Sequence, residues 1–196
     1  LSVLEGLKGM KDDGNIRSIT VIVNSANPVS MAFADEEDYG VDAVLWVGSV
    51  GQTGLYALGD VLSGAVNPSG SLPDTWWKDN QLDPVQNNFG VYTYEGQEKS
   101  TYPANANSYN HYVVYQEGVY LGYKYTETRY EDVVLGTPNA GNFQYNNVVA
   151  YPFGYGLSYT NFAFSDMQVQ KVGEGLKTEY QLTVTVTNTG DKAGKK

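Results

Sequence analysis

The sequence contains no cysteine, a single histidine, and only 12 lysines and arginines among its 196 residues. Without cysteine, disulfides, thiolate catalysis and cysteine-ligated metals are excluded. The 22 acidic residues bring the net charge to −10, which argues against a nucleic-acid partner because phosphate backbones are bound by clusters of Lys and Arg. No apolar run approaches the ~20 residues that a membrane-spanning helix needs. We therefore expect no nucleic-acid partner and no membrane segment here, while composition does not fix the cellular compartment.

The first part of the chain carries the patterns of an α/β layered domain. Apolar residues at helical spacing over residues 1–10 predict a helix. Two short apolar runs follow, 19–23 and 41–48, of the kind that is buried on both faces of a parallel sheet. A glycine-rich loop, 48–54, then leads into a helical pattern over 52–62. This order of strand, crossover, strand and helix favours an α/β fold.

The pattern changes after the turn sequence NPSG at residues 67–70. We expect no further helical periodicity, and 14 of the 17 tyrosines fall within residues 91–159, which predicts an irregular, β-like, Tyr-rich connector. Residues 162–170 and 178–188 then alternate between apolar and polar types. The second run predicts a half-buried antiparallel strand with one apolar face, formed by Tyr180, Leu182, Val184 and Val186.

Two segments resemble reaction centres but favour simpler interpretations. The loop GSVGQTG at residues 48–54 follows a strand and opens a helix, where phosphates often bind. Its G-x-x-G-x-x-G spacing lacks both a Gly-Lys-Ser/Thr ending and an acidic partner, so it indicates close helix packing rather than a nucleotide site. The acidic run Asp35, Glu36, Glu37 and Asp38 indicates a solvated connection, because consecutive carboxylates point in different directions.

His111 and Glu117 are the remaining candidates for chemistry. A Ser-His-Asp triad or a zinc site would depend on His111 alone, and no G-x-S-x-G motif is present, so we interpret it as a residue of a polar loop. The aromatic neighbours of Glu117 are expected to bury it and to raise its pKa. A structural pairing with Lys124 or with backbone amides is favoured over catalysis. We predict neither a metal nor a cofactor.

The aromatic residues have two interpretations. Flat rings suit the apolar faces of sugars, so Trp76, Trp77 and the tyrosines are candidates for carbohydrate contacts. For any one ring, packing in the core is the favoured interpretation. A non-catalytic carbohydrate-binding or adhesive module, using residues such as Tyr92 and Tyr94, remains the alternative function.

Four segments, in order, resemble elements of glycoside hydrolase family 3. Residues 42–75 are similar to its "nPsGrLp.T" element, EGVYLGYKY at 117–125 to "EGiyvGYRy", and YPFGYGLSYTNF at 151–162 to "FGYGLSYT.F". The ending TVTVTNTGDKAGKK at 183–196 resembles the start of that family's fibronectin-III-like domain. The matching residues, expected to be structural, are Gly48, Gly51, Gly54, Asn67, Pro68, Ser69, Gly70, Glu117, Gly118, Gly122, Tyr123, Phe153, Gly154, Gly156, Leu157 and Ser158.

The resemblance implies an exo-acting, retaining enzyme that releases a terminal β-linked sugar, most often glucose, from a carbohydrate substrate by means of two carboxylates. Neither carboxylate maps onto this chain. The family's nucleophile lies in a Ser-Asp-Trp-type motif, whereas the only Ser-Asp here, Ser165-Asp166, precedes Met167. The acid/base glutamate of the family lies upstream of the matched elements, and Glu5 does not match it. We therefore assign no catalytic residue, and expect an inactive fragment truncated at both ends.

The resemblance also implies a domain layout and some divergence. Residues 1–90 are predicted to be the C-terminal part of an α/β sandwich domain with a parallel sheet. Residues 91–160 form an aromatic connector packed on it, and 161–196 begin a fibronectin-III-like β-sandwich. Ser71 and Lys124 stand where the family often has Arg, so the identity of the sugar is left open.

Overall fold

The computed structural model describes residues 2–89, 92–93, 95 and 111–196. The chain is divided into two compact units. The first comprises the residues up to Ser49 together with Leu72–Gly154, and the second comprises Val50–Ser71 together with Tyr155–Lys196. Each unit therefore contains two separate stretches of sequence, and the fold is mixed α/β with small sheets.

The first unit begins as the sequence predicts. Helix α1 spans Ser2–Asp12, and strands β1 (Thr20–Val23) and β2 (Ala43–Trp46) pair in parallel, with Thr20 opposite Ala43 and Val23 opposite Trp46. The crossover between the strands contains a short helix, α2 (Ala32–Asp35), and a 3-10 turn, Glu37–Tyr39. The predicted order of strand, crossover and parallel strand is confirmed.

A small tryptophan-centred core holds this unit together. Strand β3 (Trp76–Trp77) pairs antiparallel with β6 (Val149–Tyr151), and both tryptophans are buried. The Trp76 ring packs edge-on against Trp46 with centroids 5.3 Å apart, and it joins Val23 and Met31 in the buried cluster. The interpretation of Trp76 and Trp77 as core residues is confirmed, and their rings are not available to stack on a sugar.

The expected burial of both faces of the parallel strands is wrong for β1. Val23 is buried, but the Ile22 side chain on the opposite face is exposed. Among the described residues this sheet has only two strands, and its second face is only partly covered, since Leu45, opposite Ile22, is half-buried. An alternating β-branched strand buries only the face that another layer covers.

The Tyr-rich region contradicts the prediction of an irregular β connector without helices. It contains helix α5 (Tyr123–Leu135), flanked by the short helices α4 (Pro84–Asn88) and α6 (Tyr145–Val148) and by a two-residue hairpin, β4 (Tyr92–Thr93) with β5 (His111–Tyr112). Only Thr126 of α5 is buried, so the helix carries no apolar stripe. The one sequence feature that indicates this helix is Gly136, which ends it in the left-handed conformation at φ 64° and ψ 36°.

The second unit consists of one helix and a long hairpin. Helix α3 spans Gly54–Leu62, and strands β7 (Phe162–Val172) and β8 (Glu179–Asn188) pair antiparallel. The two predicted strands are confirmed. The predicted half-burial of β8 is wrong, because Tyr180, Leu182, Val184 and Val186 are between 39% and 70% exposed. No described residue covers this apolar face sufficiently to bury it.

A β-bulge sets which side chains share the apolar face of the hairpin. Phe164 pairs with Val186, and Val169 pairs with Leu182, although Phe164 and Val169 are an odd number of residues apart. A regular strand would place these two on opposite faces. The register shifts between Ser165 and Gln168, and the extra residue there returns Val169 to the face that Phe164 occupies.

In the part of the chain that the structure describes, no helix is both long enough and apolar enough to cross a membrane.

Candidate functional site

Among the described residues, Glu117 is the only acidic or basic residue that is buried, with 5% of its surface exposed. One carboxylate oxygen, Oε2, accepts a hydrogen bond of 3.4 Å from the Gly122 amide, and the other, Oε1, has no hydrogen-bond partner. Burial raises the pKa of Glu117, and the negative charges of Asp83 and Asp74 raise it further. Of the two predicted partners, the structure supplies a backbone amide rather than Lys124.

The carboxylates near Glu117 are engaged with backbone amides. Asp74 accepts a 2.8 Å hydrogen bond from the Thr75 amide, and its carboxylate lies 3.4 Å from where a β-carbon on Gly122 would stand. Asp83 precedes α4 and caps it by accepting a 3.0 Å bond from the Val85 amide. Burial also raises the pKa of Asp83. These contacts fix turns and helix ends, which is a structural use of acidic residues.

Gly122 makes this arrangement possible. Its backbone, at φ 67° and ψ −135°, adopts a conformation that favours glycine, and α5 begins at the next residue. The Tyr123 ring then stacks on Phe153 with centroids 3.8 Å apart and planes 11° apart. The adjacent Gly154 amide donates to the Leu72 carbonyl at 2.8 Å. Two of the family-like segments, 117–125 and 151–162, are therefore in direct contact.

Five of the other family-like residues line a small cavity in the second unit, and Asn67 holds neighbouring backbone in the same unit. The Asn67 side chain accepts a 2.7 Å bond from the Tyr159 amide and donates a 2.8 Å bond to the Ala193 carbonyl. Ser158 closes a local turn by bonding the amide and the carbonyl of Thr160. The cavity has a volume of about 160 Å³ and is lined by Ser69, Gly70, Ser71, Gly156, Leu157, Ser158, Thr160, Asn161, Phe162, Phe164, Lys195 and Lys196.

The chemistry of this cavity is limited by its side chains. Hydroxyl groups, phenyl rings and two lysines line it, and none of the described lining residues is a carboxylate. A retaining glycosidase needs two carboxylates about 5–5.5 Å apart, one as nucleophile and one as acid and base. The cavity therefore cannot carry out that reaction by itself.

The remaining candidates are distributed over the surface and the loops. Asp35, Glu36, Glu37 and Asp38 are all exposed, which confirms the interpretation of a solvated connection. Gly48 and Gly51 have φ angles of 57° and 63°, and Gly54 is the first residue of α3. The loop 48–54 thus turns sharply at two glycines before the helix begins.

Two of the tyrosines proposed for sugar binding are engaged with each other. Tyr92 and Tyr112 stack on each other, 5.2 Å apart and 19° between planes, so each ring has one face occupied. Tyr94 lies outside the described residues, and His111 is described only as a backbone position in β5, opposite Thr93. This pair therefore presents only its two outer ring faces.

Sequence reasoning missed Asn88 and the capping role of Asp83. The buried Asn88 side chain donates to the Pro84 carbonyl at 2.7 Å and to Gln116 at 2.8 Å, and accepts from the Tyr92 hydroxyl at 3.2 Å. The contact with Gln116, 28 residues away, is one that no local pattern predicts. Asp83 was detectable, because an acidic residue followed by proline marks the beginning of a helix.

Comparison with known proteins identifies the family. Residues 10–123 match the Glycosyl hydrolase family 3 C-terminal domain. The chain belongs to glycosyl hydrolase family 3. This family 3 chain is 33% identical over 184 residues to a beta-glucosidase of Ruminococcus albus, which covers 92% of the chain and 15% of that protein. It is 31% identical over 175 residues to an exo-alpha-(1->6)-L-arabinopyranosidase of Bifidobacterium longum, covering 89% of the chain and 18% of that protein.

A solved structure supports the same family. The family 3 chain resembles beta-glucosidase 3B from Thermotoga neapolitana, solved in complex with alpha-D-glucose, with a TM-score of 0.69 and 29% identity. That match covers 98% of the chain and 22% of the solved protein. The family 3 chain thus spans between 15% and 22% of the length of these three relatives.

Proposed function

We propose that this family 3 chain is part of an exo-acting, retaining β-glucosidase-type enzyme that releases terminal β-linked glucose, and that the chain alone is inactive. The proposed inactivity of the chain alone rests on the absence of a carboxylate from the described lining of the cavity. The match to a C-terminal domain and the names of the relatives support the first part. The bound alpha-D-glucose of the Thermotoga protein supports a hexose as the sugar.

Two carboxylates that the family-like segments and the Ser-Asp pair suggest lie away from the cavity. Glu117 is buried against the beginning of α5, where it accepts the Gly122 amide. Asp166 is exposed in the β7 bulge and accepts a 2.8 Å hydrogen bond from the Ser165 hydroxyl. Neither lies in the described lining of the cavity. This supports our proposal that both catalytic carboxylates lie in polypeptide outside residues 1–196, as the resemblance implies.

The layout we propose assigns residues 1–90 to an α/β sandwich domain, 91–160 to an aromatic connector, and 161–196 to the beginning of a fibronectin-III-like sandwich. The parallel pair of β1 and β2 supports the first assignment. The hairpin of β7 and β8 supports the third, because its apolar face is of the type that a second sheet covers in a sandwich.

The test is an assay of the 196-residue chain beside the complete enzyme on aryl β-glucosides. We expect turnover by the complete enzyme only. Aryl α-L-arabinopyranosides belong in the same panel, because one relative is an arabinopyranosidase. Turnover by the chain alone would refute the proposed location of the carboxylates, and a complete enzyme that prefers the arabinopyranoside would refute the assignment of glucose.

The stereochemical part of the proposal has its own measurement. A retaining enzyme forms a covalent glycosyl intermediate and releases a product with the same anomeric configuration as the substrate. Proton NMR of the first product that the complete enzyme forms from an aryl β-glucoside should show the β-anomer. Initial release of the α-anomer would show inversion and contradict the proposed double displacement.

A further inference from the structure

The segment between the β4–β5 hairpin and α5 has an inverted distribution of polarity. Its one charged residue, Glu117, is buried, whereas Tyr115, Val119 and Leu121 are 80%, 85% and 60% exposed. Soluble proteins normally expose a glutamate and bury valine and leucine. The segment 113–121 contains a further three exposed large side chains, Val113, Val114 and Tyr120.

The backbone holds the segment in this inverted arrangement. The Gly118 amide donates to the Tyr115 carbonyl at 3.0 Å, and the Tyr120 amide donates to the Glu117 carbonyl at 3.1 Å. Gly118 has a φ of 60°, a left-handed conformation that favours glycine. Two successive tight turns therefore direct Glu117 inward, where its Oε2 accepts the Gly122 amide, and leave the apolar side chains outside.

From this geometry we infer that the exposed apolar side chains of segment 113–121 form a docking surface for polypeptide of the same enzyme that lies outside residues 1–196. This inference rests on the proposed function, since it requires a longer enzyme. The relatives supply the reason for choosing this occupant, because the chain spans only 15% to 22% of their length. Burying Val119, Leu121 and Tyr115 under that polypeptide removes from water apolar side chains whose exposure is otherwise unfavourable.

The chemistry of the surface favours protein over sugar as its occupant. Val119 and Leu121 are aliphatic and offer no hydrogen bonds, whereas sugar sites combine flat rings with several polar groups. The carboxylate of the segment faces inward, toward Gly122, and is not available to a sugar on the outer surface. The complementary face should therefore be apolar.

Photo-crosslinking in the complete enzyme identifies the occupant directly. Tyr115 is replaced by benzoylphenylalanine, a residue of similar shape, and the crosslinked peptides are identified by mass spectrometry. We expect crosslinks to polypeptide outside residues 1–196 within the same molecule. Crosslinks between two copies, crosslinks only to residues 1–196, or crosslinking that a sugar ligand abolishes would each overturn the inference, as would the absence of any crosslink.

A pair of substitutions measures how much the docking surface contributes to the stability of the complete enzyme. Val119→Asp should lower the unfolding temperature of the complete enzyme by several degrees, because it places a charge in a buried apolar contact. Leu176→Asp is the matched control, since Leu176 is fully exposed in the turn between β7 and β8. Equal, small effects of the two substitutions would overturn the inference. Crosslinking does not depend on turnover, so failure of the glucosidase assay remains distinguishable from failure of the docking surface.

Discussion

Gly156 is a residue at which the structure leaves no room for a side chain. A β-carbon built there would overlap the carbonyl oxygen of Gly70 and would stand 3.2 Å from the Ser71 Cα. Both obstacles are backbone atoms, which cannot rotate away as a side chain would. We predict that Gly156→Ala lowers the free energy of unfolding of the 196-residue chain by about 1–3 kcal/mol, as overpacking does. Urea unfolding measures this change.

The control for that substitution comes from the other side of the same contact. A β-carbon built on Gly70 meets no atom within 4 Å, and Gly70 is not at a positive φ angle. Gly70→Ala should therefore change the free energy of unfolding by no more than about 1 kcal/mol. If both substitutions were equally harmless, the close approach of Gly156 to Gly70 would be wrong.

Glu117 gives a pH dependence whose direction follows from its raised pKa. Between its ordinary pKa of 4.5 and the raised folded value, the folded chain holds a proton that the unfolded chain has lost, so stability falls as the pH rises. Glutamine at this position does not titrate. We predict that the Glu117→Gln variant gains stability relative to the original chain as the pH rises from 4.5 through the raised folded pKa of Glu117. Urea midpoints across this range measure the difference.

Asp42 provides a control, because its pKa is shifted in the opposite direction and its stability contribution therefore has the opposite pH dependence. Hydrogen bonds from the Lys11 side chain and the Ile19 amide lower the pKa of Asp42 below its ordinary 3.8. Its contribution is present above the unfolded pKa and is lost as the pH falls through the folded one. Asp42→Asn should therefore be least harmful at acid pH. If both variants followed the same pH trend, the assigned environment of Glu117 would be refuted.

At the scale of elements, the bulge in β7 decides which face of the hairpin is apolar. Asp166 stands in it at φ 54°, the only positive φ among the described residues other than glycine. Aspartate and asparagine tolerate this conformation, whereas β-branched residues do not. We predict that Asp166→Val lowers the free energy of unfolding by about 1–2 kcal/mol, measured by urea unfolding.

Asp166→Asn separates backbone strain from loss of charge. It removes the carboxylate that accepts the Ser165 hydroxyl but retains a residue suited to the left-handed conformation. It should change the free energy of unfolding by less than about 1 kcal/mol. Equal losses in the two variants would show that the charge, rather than the bulge, is what matters.

The elements that sequence patterns predicted are those with a clear apolar run or a regular alternation of apolar and polar residues. Strand β8 alternates at Tyr180, Leu182 and Val184, and its existence followed from that spacing. Helix α5 was missed because its tyrosines and charged residues form no apolar stripe, and only Gly136 marks its end. The stacking of Tyr123 on Phe153 joins segments far apart in sequence, which no local pattern reports. Local periodicity thus predicts elements, and not which of them touch.

At the scale of the whole molecule, apolar side chains are exposed in both units. Ile22 of β1 and Val119 are exposed in the first unit, and Leu182 and Phe164 of the hairpin in the second. Where such side chains lie side by side, as Phe164 and Val169 do opposite Val186 and Leu182 on the hairpin, the apolar surface is of the kind that contacts other protein. Because the family relatives are several times longer, these faces are where we expect the complete enzyme to bury surface that the chain alone exposes.

The β7–β8 hairpin allows this expectation to be measured. The 196-residue chain should bind an apolar fluorescent dye such as ANS more strongly, per molecule, than the complete enzyme does. Leu182→Lys should reduce dye binding to the chain, because Leu182 is exposed on the apolar face beside Val169. Thr183→Lys adds the same charge at the next position, on the polar face opposite Gln168, and should leave dye binding unchanged. Equal fluorescence from both variants would contradict an apolar face at β8, and strong binding by the complete enzyme would show that this face stays open.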